Sequence, residues 1–360
     1  MEPHVEPPPA QGVRADWSAI PEHIRRAFES WAGSPVVAAI SQASGFSPGV
    51  AARLRLADGR GLFVKAVSAE ANRDAQLFHR REARVVSALP AGLPVPRLLW
   101  SYDDAERDAG WVVLVFEEAD GRHPSQPWQS DELQQILDGL AELADRLTPS
   151  PLAIGEVPYA SRRLARRICG WQQLHSESAE RLEALDDWSR RNLQSLAELE
   201  SRAPEAVSGD TLLHFDVRAD NVLLGGKHVW FFDWPHACVG AAWFDVVGFI
   251  PSVTMQGGPV PEEVFARYPG SRVADPDAVT CALAALSGYF TRESLLPAPP
   301  GLPTLRAFQA AQGTVARRPP STRDDSARTT AGRSSSRSRS LSRPPSPRPT
   351  TSTSSAATRE

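Results

Sequence analysis

Leu212-Leu213-His214-Phe215-Asp216-Val217-Arg218-Ala219-Asp220-Asn221-Val222-Leu223-Leu224 decides how this chain is read, together with Phe231-Phe232-Asp233-Trp234, in which Asp233 stands twelve residues beyond Asn221. Apolar residues flank both segments, so their polar groups sit on loops held by buried edges. An Asp and an Asn five apart on one such loop can divide labour. The carboxylate of Asp216 faces an incoming hydroxyl, and the amide oxygen of Asn221 faces a metal. Asp233 on the adjoining edge completes a magnesium site, because Mg2+ takes oxygen ligands and relies on few protein groups plus phosphates. The order HxDxxxxN…D fits a phosphoryl-transfer site. Asp220 reads as a turn former. Arg218 reads as a structural ion pair, with a phosphate contact as the alternative.

Only two of the 39 basic residues are lysines, Lys65 and Lys227. Where arginine serves almost every other cationic position, a retained lysine hints that a compact point charge is required. Lys65 lies in Val64-Lys65-Ala66, within a stretch (61–67) that reads as the return strand of a hairpin from 50–57 through Asp58-Gly59. Lys227 falls in a turn beside Gly225-Gly226 and reads as a chance survivor. Residues 73–89 are expected as a helix stopped by Pro90 and Gly92, and 95–101 and 111–117 as two further strands. Ile20, Ile24, Phe28 and Trp31 recur at helical spacing in 16–31, with Asp16 or Ser18 available as N-cap. Residues 16–117 thus read as an α+β lobe.

From 118 to 316 the pattern turns mainly helical. Leu133, Ile136, Leu137, Leu140, Leu143 and Leu147 are periodic over 131–147. Further helices are expected at 161–168, 179–199, 242–250, 262–268, 276–290 and 305–316, and short strands at 211–214, 222–224 and 228–233. Residues 1–15 are Pro-rich and expected to be loose. Residues 317–360 hold ten Arg against three acids and almost no large apolar side chain. Such a composition cannot offset its chain entropy, so a disordered tail is expected.

The net charge of −4 gives no global field for nucleic acid or a membrane surface. No apolar run approaches the ~18 residues of a membrane span. Cys169, Cys238 and Cys281 lack CxxC spacing, so neither a zinc site nor a disulfide framework is expected. The first residues have no basic and apolar regions of a signal peptide. A cytoplasmic protein acting on a small molecule is the default expectation, with no nucleic-acid or membrane partner.

The segment around Asp216 resembles the catalytic and metal-binding loops of the aminoglycoside phosphotransferase / choline kinase family of the protein-kinase-like fold. The resemblance covers about residues 35–315. It implies a two-lobed α+β fold with a small antiparallel-sheet N-lobe and a mainly helical C-lobe. It also implies an ATP- and Mg2+-dependent kinase moving the γ-phosphate to a hydroxyl of an aminoglycoside or related amino sugar or amino alcohol, with antibiotic resistance as one use. Carried over, Asp216 orients or deprotonates the acceptor hydroxyl, Asn221 and Asp233 bind Mg2+, and His214 supports the loop. Lys65 matches the lysine that meets the α- and β-phosphates. Glu82 matches the glutamate that pairs with it; taken alone, it is also an exposed residue on a charged helix. Gly45, Ser47 and Gly49 resemble the short phosphate-covering loop, without a full GxGxxG and with Pro48 removing one amide donor. Phe116, Glu117 and Ala119 fall where the family hinge meets adenine. Asp245 resembles the aspartate that braces the catalytic loop.

Trp234 stands where protein kinases have the Phe of DFG, no Gly follows, and no Ala-Pro-Glu lies downstream. These departures argue against a protein kinase with an activation loop. The alternative is a nucleotide-binding pseudokinase or regulatory module without turnover; the retained Asp216 favours an enzyme, because a binder needs no base. A metal-dependent hydrolase using His214, Asp216 and Asp233 lacks a second histidine pair. For the acceptor, Glu262, Glu263, Asp275 and Asp277 are candidate partners of a polycation. Trp171, Trp188, Trp230, Trp234 and Trp243 are candidate walls of a quaternary-amine cage.

Overall fold

Alternation along one strand sets the architecture. In β6 (Trp111–Glu117), Val113 and Val115 belong to one apolar cluster and Val112, Leu114 and Phe116 to another, as a side-chain period of two requires. The first face is covered by α1 (Glu22–Ala32) through Ile24 and Phe28. The second is covered by α2 (Arg73–Ala88) through Val85 and Val86, and it is continuous with the core of the helical half. The structure, a computed structural model, describes residues 8–10, 14–42, 45–46, 49–70, 73–104, 110–177, 182–226, 228–299 and 301–317. Lys227 and the tail from 318 onward lie outside the described residues.

The sheet runs β3 (Gly49–Leu56), β4 (Gly61–Ser68), β6, β5 (Leu98–Asp103), each neighbouring pair antiparallel. Two strands share the outer edge of β3. β2 (Val36–Ser41) runs antiparallel to residues 52–56, and β1 (Arg14–Ala15) runs parallel to Gly49–Val50. Neither is legible in the sequence. β2 is exposed along nearly its whole length, so no alternation marks it, and β1 lies inside the stretch expected to be loose. The helix expected over 16–31 begins at Glu22 after a 3₁₀ turn at Trp17–Ala19. Pro21 takes the cap position, and Asp16 instead accepts from the Ser41 hydroxyl at 2.8 Å.

The chain leaves the sheet at Glu117. The helical half is built on α3 (Ser130–Arg146), whose Leu133, Ile136, Leu137, Leu140 and Leu143 are buried on one face. Each such side chain contributes about 1.5–3 kcal/mol. α4 (Ala160–Arg167) and α5 (Gly170–His175) follow, then helices Asp187–Ala206, Phe244–Met255, Pro261–Arg267, Pro276–Ser294 and Leu305–Ala316. Of the helix expected over 179–199, residues 179–181 lie outside the described residues, and helix Asp187–Ala206 starts where Asp186 caps it, accepting from the Ser189 amide at 2.8 Å. Among the described residues no helix is long and apolar enough to cross a membrane.

Two short ribbons position the motif segments. β7 (Thr211–Leu213) pairs with β10 (Cys238–Gly240), and β8 (Val222–Gly225) pairs with β9 (His228–Phe231). The loop 214–221 joins β7 to β8, and 232–237 joins β9 to β10. Buried apolar strands therefore flank both loops, and both loops open on the same side of the sheet lobe.

Candidate active site

Asp245, in the first turn of helix Phe244–Met255, accepts from the backbone N–H groups of His214 and Phe215, each at 2.8 Å. These bonds help hold Phe215 at φ 69°, a left-handed conformation that a bulky residue rarely enters. His214 Nδ1 accepts from the Asp216 amide at 3.2 Å, so Nε2 carries the proton and donates to the Phe232 carbonyl at 3.0 Å. One imidazole thus ties the two motif loops together.

Arg218 Nη1 reaches both oxygens of Asp216, at 2.6 and 2.7 Å. Its Nε and Nη2 hold Asp220 at 2.9 and 3.0 Å. Burial would lower the Arg218 guanidinium, but Asp216 and Asp220 outweigh it and hold the group charged. The structural reading of Arg218 and Asp220 accounts for these contacts. Asn221 Nδ2 donates to the Asp216 carbonyl at 2.8 Å, and the Asn221 carbonyl accepts from the Phe232 amide at 3.2 Å. Asn221 and Asp233 therefore stand on adjoining backbone.

Across from them, Lys65 Nζ donates to Glu82 at 2.6 Å and to Asp233 at 2.8 Å. Lys65 comes from β4 and Glu82 from α2, which packs on that strand, so the sheet lobe presents its lysine to the helical lobe's carboxylate. Glu82 is buried, not one of the exposed charges of its helix. Burial alone would raise the Asp233 carboxyl; the Lys65 ammonium overrides it and holds Asp233 well below the usual carboxylate range. Burial likewise opposes the Lys65 charge, and Asp233 and Glu82 more than restore it. Asp233 sits at φ 73°, a second left-handed residue. Buried His79 behind this group is pushed down to about 4, by burial first and then by Lys65.

These residues line one cleft with Val50, Phe63, Val95 and Leu223 as apolar walls and Phe116, Glu117 and Ala119 at its edge. The Glu117 side chain turns away to pair with Arg97 at 2.9 Å. Gly49, at φ 99°, lies so close to β4 that an added Cβ would be 2.3 Å from the Ala66 carbonyl. Gly49 is not among the residues that line the cleft; Gly45 is, but its amide donates to the Ala10 carbonyl at 2.8 Å. Ser47 lies outside the described residues. Sequence reasoning missed Arg14, which β1 brings into the same cleft against Gly45, in the field of Asp233 and Asp220. The ends of the body meet here: the Thr304 hydroxyl donates to the Pro9 carbonyl at 2.9 Å, and the Phe46 and Phe308 rings meet edge to face at 5.3 Å.

Asp216 also faces residues that the motifs do not mark. Phe215 stacks on Phe244 at 5.3 Å, and Arg163 of α4 lies over the Phe215 ring at 5.0 Å. Tyr289, late in helix Pro276–Ser294, is pushed up to about 12 by burial first and then by Glu293 and Asp216. Asp275 and Asp277 begin that helix, about 18–21 Å along its axis from Tyr289. Glu262 and Glu263 are exposed on helix Pro261–Arg267. Trp171 and Trp234 are core residues, their indole N–H groups bonded to the Ala284 and Phe231 carbonyls.

The lobes and the order of these loops are those of the protein-kinase-like fold. The structure is similar to that of amicoumacin kinase hAmiN in complex with AMP-PNP, Ca2+ and Ami, with a TM-score of 0.54 at 11% identity over 82% of this chain and 94% of that one. It is similar to a thermostable mutant of aminoglycoside phosphotransferase APH(4)-Ia in a ternary complex with ADP and hygromycin B, with a TM-score of 0.54 at 16% identity over 82% and 98%. At these identities the likeness is one of fold. No curated protein matches the chain in sequence. Residues 43–280 match the model of the Phosphotransferase enzyme family, a stretch that contains Lys65, Glu82 and both motif loops. On that match the chain belongs to the phosphotransferase enzyme family, the small-molecule kinases of the protein-kinase-like fold.

Proposed function

We propose that the chain moves the γ-phosphoryl group of ATP to a hydroxyl of a small molecule. The observation that supports this best is the junction of Lys65, Glu82 and Asp233 in one cleft with Asn221 and Asp216 on the adjoining loop. Lys65 meets the phosphates, and Glu82 orients it. Adenine lies between the apolar walls, against the backbone of 116–119. Gly49 lets β3, whose Val50 and Ala51 line the cleft, lie close on β4. Asn221 and Asp233 suit Mg2+: two oxygen donors on adjoining backbone, with the Asn221 amino group already taken by Asp216. Among the described residues no cluster of three or more His, Cys, Asp or Glu could hold a metal, and Mg2+ fills such a sparse site with phosphate and water oxygens. When bound, the ion neutralises charge on the phosphates.

Asp216 accepts a hydrogen bond from the acceptor hydroxyl and takes its proton as the new O–P bond forms and the bond to the β-phosphate oxygen breaks. Arg218 fixes the Asp216 rotamer, and His214 and Asp245 fix the loop that carries it. An ATP requirement fits work in the cytoplasm. One observation favours a second reading, nucleotide binding without turnover: Arg218 already engages both Asp216 oxygens.

Acceptor-dependent ADP release separates the two readings. Amicoumacin and hygromycin B, the small molecules of the two solved relatives, belong in the screen beside amino sugars, choline and hydroxy acids. Lys65→Arg tests the phosphate contact. The planar guanidinium cannot replace a compact ammonium between two carboxylates, so nucleotide affinity and turnover should both fall. Full activity of Lys65→Arg would refute the assignment. ATP binding with no release for any acceptor would leave the second reading.

A further inference from the structure

We infer that the acceptor carries its own anionic group, a carboxylate or a phosphate, which docks on Arg163 beside Asp216. The inference rests on the phosphotransfer reading and names the acceptor class for that same site.

Arg163 is the central observation. It is mostly turned inward on α4, over the ring of Phe215, the residue before Asp216. Among the described residues its polar contact is a long bond to the Ala237 carbonyl at 3.4 Å, and no ion pair holds it. Arg167, one turn on, and Arg81 of α2 stand within its electrostatic reach, and neither has an ion pair among the described residues. Arg81 lies 6.0 Å from the Phe78 ring, which in turn meets His236 at 5.1 Å in a tilted arrangement. His236 and Arg163 both lie in the field of Asp216. Arg163 thus stands near a carboxylate whose oxygens Arg218 already holds, and Arg81 and Arg167, from two elements, stand near Arg163.

The helix end explains part of this. Arg167 sits in the last turn of α4, where the helix dipole favours a cation. It does not explain Arg163, which is mid-helix and loses solvation without gaining a carboxylate. Burial works against the Arg163 charge, and Arg81 and Arg167 add to that, with Cys238 and Asp216 opposing them in part. Glu293, whose charge Tyr289 feels, is held by Arg306 and Arg292 at 2.8 and 3.2 Å. Among the described residues, the groups around Arg163 and Tyr289 are therefore mostly cations, and Glu293 is already paired. A planar guanidinium matches a carboxylate or phosphate through two parallel hydrogen bonds. An anion seated there holds a neighbouring hydroxyl at Asp216. On transfer, that oxygen gains the phosphoryl group, ADP leaves, and the proton goes to Asp216.

The test uses the whole protein with the cleft filled by AMP-PNP and Mg2+, titrated calorimetrically with D-glycerate and with glycerol 3-phosphate. Glycerol is the uncharged match and hygromycin B the cationic one. At least one anion should bind where glycerol does not, and the preference between the two identifies carboxylate or phosphate. Arg163→Ala should weaken that binding about ten- to a hundredfold, the span of one charge-assisted contact. Because Arg163 also packs on Phe215, the exposed Arg81→Glu and Arg167→Glu variants should give a similar loss in a folded protein. In turnover, Arg163→Ala should raise KM for the anionic acceptor far more than it lowers kcat, and Arg163→Lys should restore only part. Failure of both anions to bind, stronger binding of glycerol or hygromycin B, or unchanged affinity in all three charge variants overturns the inference. Anion binding that depends on Arg163, with no ADP release for any acceptor, sustains the docking site and overturns the transfer reading instead.

Discussion

Asp233 lines the cleft and Asp216 stands on the adjoining loop, and their partners give the two carboxylates different work. Asp216 meets Arg218 and the Asn221 amide; Asp233 meets Lys65. Asp216→Asn should keep Mg-ATP affinity and lose turnover by ~10²–10⁴-fold, the usual worth of a general base. Asp233→Asn removes both a charged oxygen ligand and the partner of Lys65. Nucleotide affinity and turnover should fall together, with affinity partly regained at raised Mg2+. Calorimetry with Mg-ATP beside steady-state kinetics distinguishes the two patterns, and an active Asp216→Asn enzyme would remove Asp216 from the chemistry. These residues were legible because their spacing is local: Asp216, Asn221 and Asp233 lie within one stretch bounded by apolar strands. Lys65 was legible through the near-absence of other lysines. Arg14 and Arg163 were not, because in an arginine-rich chain nothing local separates an arginine that faces a cleft from one that faces water.

At the scale of elements, legibility followed burial. β3 and β4 alternate because one face of each is buried beneath α1, β6 is covered on both faces and reads as an unbroken apolar run, and the hairpin between β3 and β4 adds a turn signal. β2 lies exposed and carries no pattern, and β1 consists of two residues whose partner is 35 positions away at Gly49 and Val50. Helix boundaries moved wherever a cap decided them, as at Asp186. The passage of β3 past β4 depends on Gly49. A methyl group there would meet the Ala66 carbonyl at 2.3 Å on backbone at φ 99°. Gly49→Ala should cost about 1–3 kcal/mol of stability and should weaken nucleotide binding, because the strand must lift from the cleft. A thermal melt with and without Mg-ATP tests this. An unchanged Tm and an unchanged ligand-induced shift would mean that the close approach is not needed.

At the scale of the whole molecule, one buried acid should make stability depend on pH. Glu200, on helix Asp187–Ala206, is only 1% exposed and accepts from the Trp171 and Gln172 amides at 3.1 and 2.8 Å, joining that helix to the start of α5. Burial pushes its carboxyl up from 4.5 to about 7. The folded protein therefore binds this proton more tightly than the unfolded chain does. The resulting stabilisation is complete below pH 4.5 and is lost as pH rises through 7, an effect on the order of 3 kcal/mol. Glu200→Gln should remove that component, so the variant's melting curve should vary less between pH 5 and 8 than the parent's. Equal slopes would show that the amides keep Glu200 ionised throughout. The meeting of Pro9 with Thr304, and of Phe46 with Phe308, has a consequence of another kind: within residues 8–317 the first segment lies against the start of the last helix, so the order in which the segments are joined is open to change. A linker from Arg317 back to Pro8 must retrace the helix Leu305–Ala316, about 18 Å, which six or more extended residues span. A circular permutant closed there without 318–360, and opened at the exposed Ile154-Gly155 turn, should fold, melt within a few degrees of the parent and bind nucleotide as well. A chain cut just before Leu305 should do neither, because it takes from the glycine loop the ring on which Phe46 rests.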